Sequence, residues 1–265
     1  MSSLPIIQMF WHGTPLSRIE RVSIASFLHH GHSVDLYAYE EPIGAPAGVR
    51  VLDAECILPR SALFEHRRTQ SFAPFADWFR YRVLFERGGI WADADVVCLQ
   101  PFEYSSPWVY AWQDDSYINN AVLGLPAGDP LAEWLASCCE KPNRMLPYDS
   151  LEVRLRKLRR RMFRGNRRDR VGWGENGPKG LTRAAHHFGY VERALPSWHF
   201  YPVAHQSHRA LFESQERGGG VELNGSRAVH LWNQLLKGRP GFDKNARFPA
   251  TSPFEQLCAR YLDEM

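Results

Sequence analysis

The chain has 265 residues, 44% of them hydrophobic and 23% charged, a balance that excludes a mostly disordered or fibrous polypeptide and permits a substantial core. No apolar run approaches the roughly 18–20 residues of a membrane span, and residues 1–8 lack the basic and long apolar regions of a signal peptide. Five cysteines (Cys56, Cys98, Cys138, Cys139, Cys258) without CxxC spacing argue against a disulfide framework or a cysteine-built zinc site, so a reduced, cytoplasmic protein is expected.

Residues 4–10 form a short apolar run that predicts a buried first strand, and Trp11-His12-Gly13-Thr14-Pro15 breaks it. Apolar residues recur at helical spacing over 17–30, with Gly31 as the stop, and residues 33–39 alternate as a strand does. Strand, helix, strand implies a parallel α/β sheet whose ligand site lies at the carboxyl ends of the strands. A further strand is expected at 49–52. A helix over 75–87 ends at Gly88-Gly89, and a strand over 90–99, carrying two acids, is closed by Pro101. Strands at 108–112 and 119–125 and a helix at 129–140 follow. Beyond a basic segment come a glycine-rich loop at 172–180, a helix at 181–188, a turn at Gly218-Gly219-Gly220, a strand at 228–232 and a helix at 253–262. No internal repeat or separating linker is visible, so one α/β domain with insertions is expected over 1–265.

The chemistry concentrates between Ala76 and Pro101. Asp93 and Asp95 stand two apart, and within a strand such residues share a face. Two carboxylates in an apolar setting repel each other unless a cation lies between them, and a hard divalent ion such as Mg²⁺ or Mn²⁺ suits them together with phosphate oxygens. Taken alone, such a pair is a weak signal and reads first as an exposed strand end with two solvated acids. Asp77 and Arg80 lie three apart on one helix face. They form either a surface ion pair of little energetic value or an acceptor and a forked donor presented to sugar hydroxyls and phosphate.

The segment Ala76-Asp77-Trp78-Phe79-Arg80-Tyr81, Leu84-Phe85, Gly88-Gly89-Ile90-Trp91-Ala92-Asp93-Ala94-Asp95, Leu99 and Pro101 resembles the signature D-x-x-R-Y…L-Y…G-G-I-Y-x-D-x-D…L-x-P over about 26 residues. It is the signature of glycosyltransferases with the DXD sugar-binding region: family 32, with its fungal mannosyltransferase and animal α1,4-transferase members. The glucosyltransferase domains of large clostridial toxins share it more distantly. The resemblance implies a GT-A fold, a Rossmann-like, mostly parallel sheet flanked by helices. On that basis residues 1–125 would bind a UDP- or GDP-sugar with Mn²⁺ or Mg²⁺, and 126–265 would face the acceptor. It further implies that Asp93 contacts the ribose and the metal, that Asp95 ligates the metal, and that Asp77 and Arg80 hold the donor sugar. Trp91 takes the usual Tyr position beside the nucleotide, and Ala76 replaces a frequent Ser.

Looser resemblances extend the site. Residues 6–13 resemble the first strand of the family, where Trp11 would stack on the base or else anchor a loop. Asn119 and Asn120 resemble an acceptor-side segment that would contribute to catalysis. Gly174 to Pro178, with Leu181-Thr182, resembles a loop that closes on the donor through Gly177. Lys179 beside it, or Arg80, would assist the departing diphosphate. His230 in His-Leu-Trp-Asn is either a third metal ligand or a buried structural histidine. The relatives retain anomeric configuration. A hexosyltransferase acting on a glycan or lipid-linked glycan in bacterial surface polysaccharide synthesis is therefore expected. The alternatives are a toxin-like effector that glycosylates a protein and a non-catalytic membrane- or RNA-binding module.

Although the formal net charge is +3, residues 154–170 hold ten Arg or Lys against one acid, Asp169, and the rest of the chain is net acidic. Leu151, Val153, Leu155, Leu158, Met162 and Phe163 give this segment an apolar stripe up to Gly165. A basic amphipathic helix over 151–170 suits the anionic inner face of a cell membrane. A merely solvated helix is the alternative, and no nucleic-acid motif accompanies the charge.

Overall fold

The computed structural model describes residues 4–13, 15–215, 220–236 and 242–262. Strand β1 (Ile7–Trp11) is followed by helix α1 (Arg18–His29), β2 (Val34–Ala38), β3 (Arg50–Asp53), α2 (Ala73–Arg87), β4 (Ile90–Ala92), β5 (Val96–Cys98) and β6 (Val122–Gly124). Helices α3 (Pro130–Glu140), α4 (Leu151–Arg164) and α5 (Pro178–Phe188), strand β7 (Ala228–His230), and helices α6 (Asn233–Leu236) and α7 (Pro253–Leu262) complete the order. The five-stranded sheet runs β3-β2-β1-β4-β6; β1, β2, β3 and β4 are parallel, and β6 runs antiparallel at the edge. This is a mixed α/β architecture with a mainly parallel sheet, flanked by α1 and α7 on one side and α2, α3 and α5 on the other. It is consistent with a GT-A-like arrangement.

Local chemistry explains the elements. Ser17 caps α1, accepting from the Ile19 N–H, while the Glu20 carboxylate accepts from the Ser17 N–H at 2.9 Å, a reciprocal capping box. Strand β1 is buried along almost its whole length, as a strand covered on both faces requires. Helix α2 stops at Gly88 (φ +67°), and Gly89 follows at φ +87°, both in the left-handed region that favours glycine. A Cβ on Gly88 would lie 2.8 Å from the Ala127 nitrogen, and one on Gly89 2.8 Å from the Ile6 oxygen. The two glycines therefore let the chain leave α2 and enter the sheet beside β1 without a gap.

Three strand expectations are corrected. The 90–99 run is two strands in two sheets, because β5 leaves the main sheet to pair antiparallel with β7. Asp93-Ala94-Asp95 forms the turn between them, closed by a hydrogen bond from the Val96 N–H to the Asp93 carbonyl. The two acids converge through this turn, not through strand alternation. Residues 108–112 form no regular strand but isolated bridges, in which Val109, Ala111 and Trp112 pair with Gly124, Leu195 and Ile118. The strand expected from 119 is confined to β6, and α5 starts at Pro178, inside the expected glycine-rich loop. Gly218 and Gly219 of the expected turn lie outside the described residues.

Topology fixes where a ligand sits. From central β1 the chain crosses first to β2 on one side and later to β4 on the other, so a crevice opens at the carboxyl ends of β1 and β4. Gly89→Ala should destabilise the fold by about 1–3 kcal/mol, from left-handed strain plus the clash with the Ile6 carbonyl. Urea unfolding followed by tryptophan fluorescence would measure this, and an unchanged midpoint would contradict the close approach.

Candidate active site

The crevice is a cleft of about 390 Å³ whose walls include Trp11 from the end of β1, Asp77 and Arg80 from α2, Trp91 from β4, and Asp93 and Asp95 from the following turn. Asn119, Asn120, Gly177 and His230 also line it. Lys179 does not; its ammonium lies 5.9 Å from the centroid of the Tyr117 ring.

Arg80 organises one side. Its guanidinium is only 4% exposed, donates to Asp77 Oδ1 at 2.8 Å and to Asp93 Oδ1 at 2.5 Å, and stands 4.9 Å from the centroid of the Trp91 ring. The Asp77–Arg80 pair is thus buried, unlike the exposed pair that is one reading of their spacing. Burial lowers the Arg80 pKa, but the Asp93 and Asp77 carboxylates outweigh it and hold the guanidinium firmly charged. Asp77 also accepts from Asn120 Nδ2 at 2.8 Å, and burial pushes its pKa up against the opposing pull of Arg80. Tyr81, which itself accepts from Asn120, donates to the Asn176 carbonyl at 2.8 Å and so ties α2 to the loop before α5. There Gly177 packs so closely that a Cβ would lie 3.3 Å from Asp77 Oδ2.

The β5–β7 register governs the other side. Val96 pairs with His230, which sets the imidazole beside the neighbouring Asp95, with Nε2 3.2 Å from Asp95 Oδ1. Two residues on, Trp232 adopts a left-handed conformation (φ +53°), strained for an aromatic residue. The Asn233 N–H that follows donates to Asp95 Oδ2 at 2.9 Å. Burial raises the Asp95 pKa, but His230 and this N–H overcome it and leave the carboxyl below its usual range. Asp93 is pushed the opposite way, by burial and by the neighbouring Asp95, against the pull of Arg80.

Ligand atoms of Asp93, Asp95 and His230 all lie within 4.8 Å of one another. Two carboxylates and one imidazole are a donor set that Mn²⁺ accepts readily, and Mg²⁺ through its carboxylates. Charge supports the fit: among the residues lining the cleft, Asp77, Asp93 and Asp95 outnumber the single guanidinium of Arg80, so the cleft favours a further cation. Four cleft residues also hold buried polar atoms without hydrogen-bond partners: Trp11 Nε1, Arg80 Nε, His230 Nδ1 and Asn233 Oδ1. Buried polar atoms are normally satisfied, so such a concentration marks a place where a polar ligand completes the set.

Asn119 is engaged structurally, donating to Gln113 Oε1 at 2.7 Å and accepting from the Ala121 N–H. It orients Gln113, which shares the cleft wall. Sequence reasoning missed Gln113, Trp173, His205 and Glu20 as lining residues. Glu20 gives no signal beyond its capping role, Gln113 and Trp173 lie outside helices and strands, and His205 opens a short 3-10 helix (His205–Leu211).

Two family models match the chain. Residues 48–118 match the glycosyltransferase sugar-binding region containing the DXD motif, and residues 168–265 match the alpha 1,4-glycosyltransferase conserved region. A solved structure described as "PaToxG Glycosyltransferase" is similar at 17% identity over 70% of each chain, with a TM-score of 0.47. Asp77, Arg80, Asp93 and Asp95 come from the first region and Gly177 and His230 from the second, and the fold brings both groups to one cleft. The chain is a glycosyltransferase with a DXD sugar-binding region.

Proposed function

We propose that the enzyme is a metal-dependent, retaining hexosyltransferase that uses a UDP- or GDP-sugar and acts on a glycan or lipid-linked glycan acceptor in surface polysaccharide synthesis. The observation that carries this reading is the Asp93–Asp95–His230 cluster beside the buried Asp77–Arg80 pair in one cleft. Trp11, at the mouth of the sheet, offers an aromatic face to a planar base. Asp77, held by Asn120 and Arg80, accepts hydrogen bonds from sugar hydroxyls and fixes the ring. Arg80, with Nε uncommitted, donates to the departing phosphate. Asp93, whose Oδ1 takes both the Arg80 and the Trp91 hydrogen bonds, keeps Oδ2 for ligand. A divalent cation bound by Asp93, Asp95 and His230 would supply charge neutralisation at the diphosphate. With Lys179 off the cleft wall, the task of steadying the leaving group falls to Arg80 in this reading.

The exposed row on α4 supports a second element of the proposal, attachment to an anionic membrane. Leu151, Leu155, Leu158, Met162 and Phe163 are all solvent-exposed, and Lys157 is the helix's one buried residue. The arginines that accompany this row match an anionic lipid surface in charge. No helix among the described residues is long and apolar enough to cross a membrane.

Thermal melts with UDP- and GDP-sugars in Mn²⁺, Mg²⁺ or EDTA test the donor reading. A donor at a hundredfold its Kd should add about 2.7 kcal/mol of stability, and only with metal present. Asp95→Ala should abolish that increment. Arg80→Lys, which keeps the charge but loses the fork, should cut turnover about a hundredfold. Metal-independent stabilisation would overturn the metal assignment, and a β-linked product from an α-linked donor, read by NMR, would overturn retention. Co-sedimentation with anionic vesicles should fall at least tenfold in Leu155→Asp/Phe163→Asp with no change in melting temperature, because both side chains are exposed. Unchanged sedimentation would dismiss the membrane role of α4.

A further inference from the structure

Next to the donor cleft lies a second cavity of about 670 Å³, lined by Arg67, Arg68, Arg160, Arg164 and Arg170, with Trp173 shared between the two. Its one lining carboxylate, Asp169, is held by both Nε and Nη2 of Arg167, at 2.9 and 2.8 Å. Arg160 pairs with Glu175 at 2.7 Å. Arg67, Arg68, Arg164 and Arg170 have no carboxylate within ion-pair distance among the described residues, and the buried Nε of Arg170 lacks any hydrogen-bond partner.

Arginines on a convex surface spread into water at little cost, but these line one concavity, with Arg160 and Arg170 half-buried in its wall. Two segments distant in sequence fix its shape. The Arg67 N–H donates to the Asp169 carbonyl at 2.9 Å, and His66 Nε2 lies 3.0 Å from the Val171 carbonyl. Like charges held this way repel until an anion joins them. Several forked donors converging on one space match the oxygens of a phosphate better than a single carboxylate.

We propose that this cavity is an acceptor subsite for a phosphate-bearing group, placing the acceptor one indole away from the donor sugar. The proposal rests on the transfer reading above and narrows the acceptor to an anionic, phosphate-carrying molecule. Arg68 and Arg170 grip the phosphate from opposite segments, and Trp173 forms the partition over which the sugar-accepting end reaches the donor cleft.

Titration calorimetry with inorganic pyrophosphate in EDTA tests the cavity without the metal-dependent donor site. Binding should be equal in the wild type and Asp95→Ala, about tenfold weaker in each of Arg68→Ala and Arg170→Ala, and intermediate in the two lysine variants. Metal-dependent hydrolysis of the donor by water should be unchanged in Arg68→Ala. In the Leu155→Asp/Phe163→Asp background, which removes attachment through α4, sedimentation with phosphatidic acid vesicles but not with phosphatidylcholine, lost on adding Arg68→Ala, would place the phosphate on a lipid. Binding of glycerol phosphate without vesicle binding would place it on a soluble acceptor. The proposal is overturned if pyrophosphate does not bind at millimolar concentration, if the arginine variants leave its affinity unchanged, if glucuronate binds as well, or if donor hydrolysis falls together with pyrophosphate affinity. Absence of any nucleotide-sugar binding, with pyrophosphate binding intact, would count against the transferase reading and not against the anion site.

Discussion

A guanidinium buried as deeply as that of Arg80 cannot stand alone, and its two carboxylate partners come from different elements. Asp77 is on its own helix, and Asp93 is on the turn after β4, so one charge network sets the distance between helix and turn. Removing one member of such a network strands the others, typically at a cost of about 3–5 kcal/mol. Asn120 extends the network to the chain before β6, and Tyr81 extends it to the loop before α5. The cleft walls are therefore positioned by electrostatics as much as by apolar packing.

The second organising device is the small β5–β7 ladder. It joins Asp95 to a segment 138 residues away, where the Asn233 N–H meets its carboxylate, and it carries His230 to the same place. Neither strand belongs to the main sheet. The main sheet supplies the crevice, and the two-stranded ladder brings His230 and the Asn233 N–H beside Asp95 at its rim.

The sequence revealed the parts whose physics is local. The glycines closing α2 and the D-x-x-R spacing act within a few residues and stand where their chemistry predicts, while the two acids of D-x-D do converge, but through a turn and not along a strand. What escaped depends on distant partners. Residues 90–99 read as one strand because nothing local shows that β5 pairs elsewhere. Residues 108–112 read as a strand because their bridges to Gly124, Leu195 and Ile118 cannot be seen in their own periodicity. Lys179 directly follows Pro178, which lines the cleft, yet one residue of helix turns a side chain by about 100°, which carries it from the cleft to Tyr117.

Helix α4 buries only Lys157, whose ammonium bonds Asp149 Oδ2 and the Arg144 carbonyl, and it gives the central sheet no apolar support. Its outward residues are thus free of the packing constraints that bind α2 or β1. Substitutions there can accumulate without a toll on the fold, and a different surface could be grafted onto the same anchor. The surface that α4 presents through Leu155 and Phe163 can in this sense change independently of the buried charges that shape the cleft.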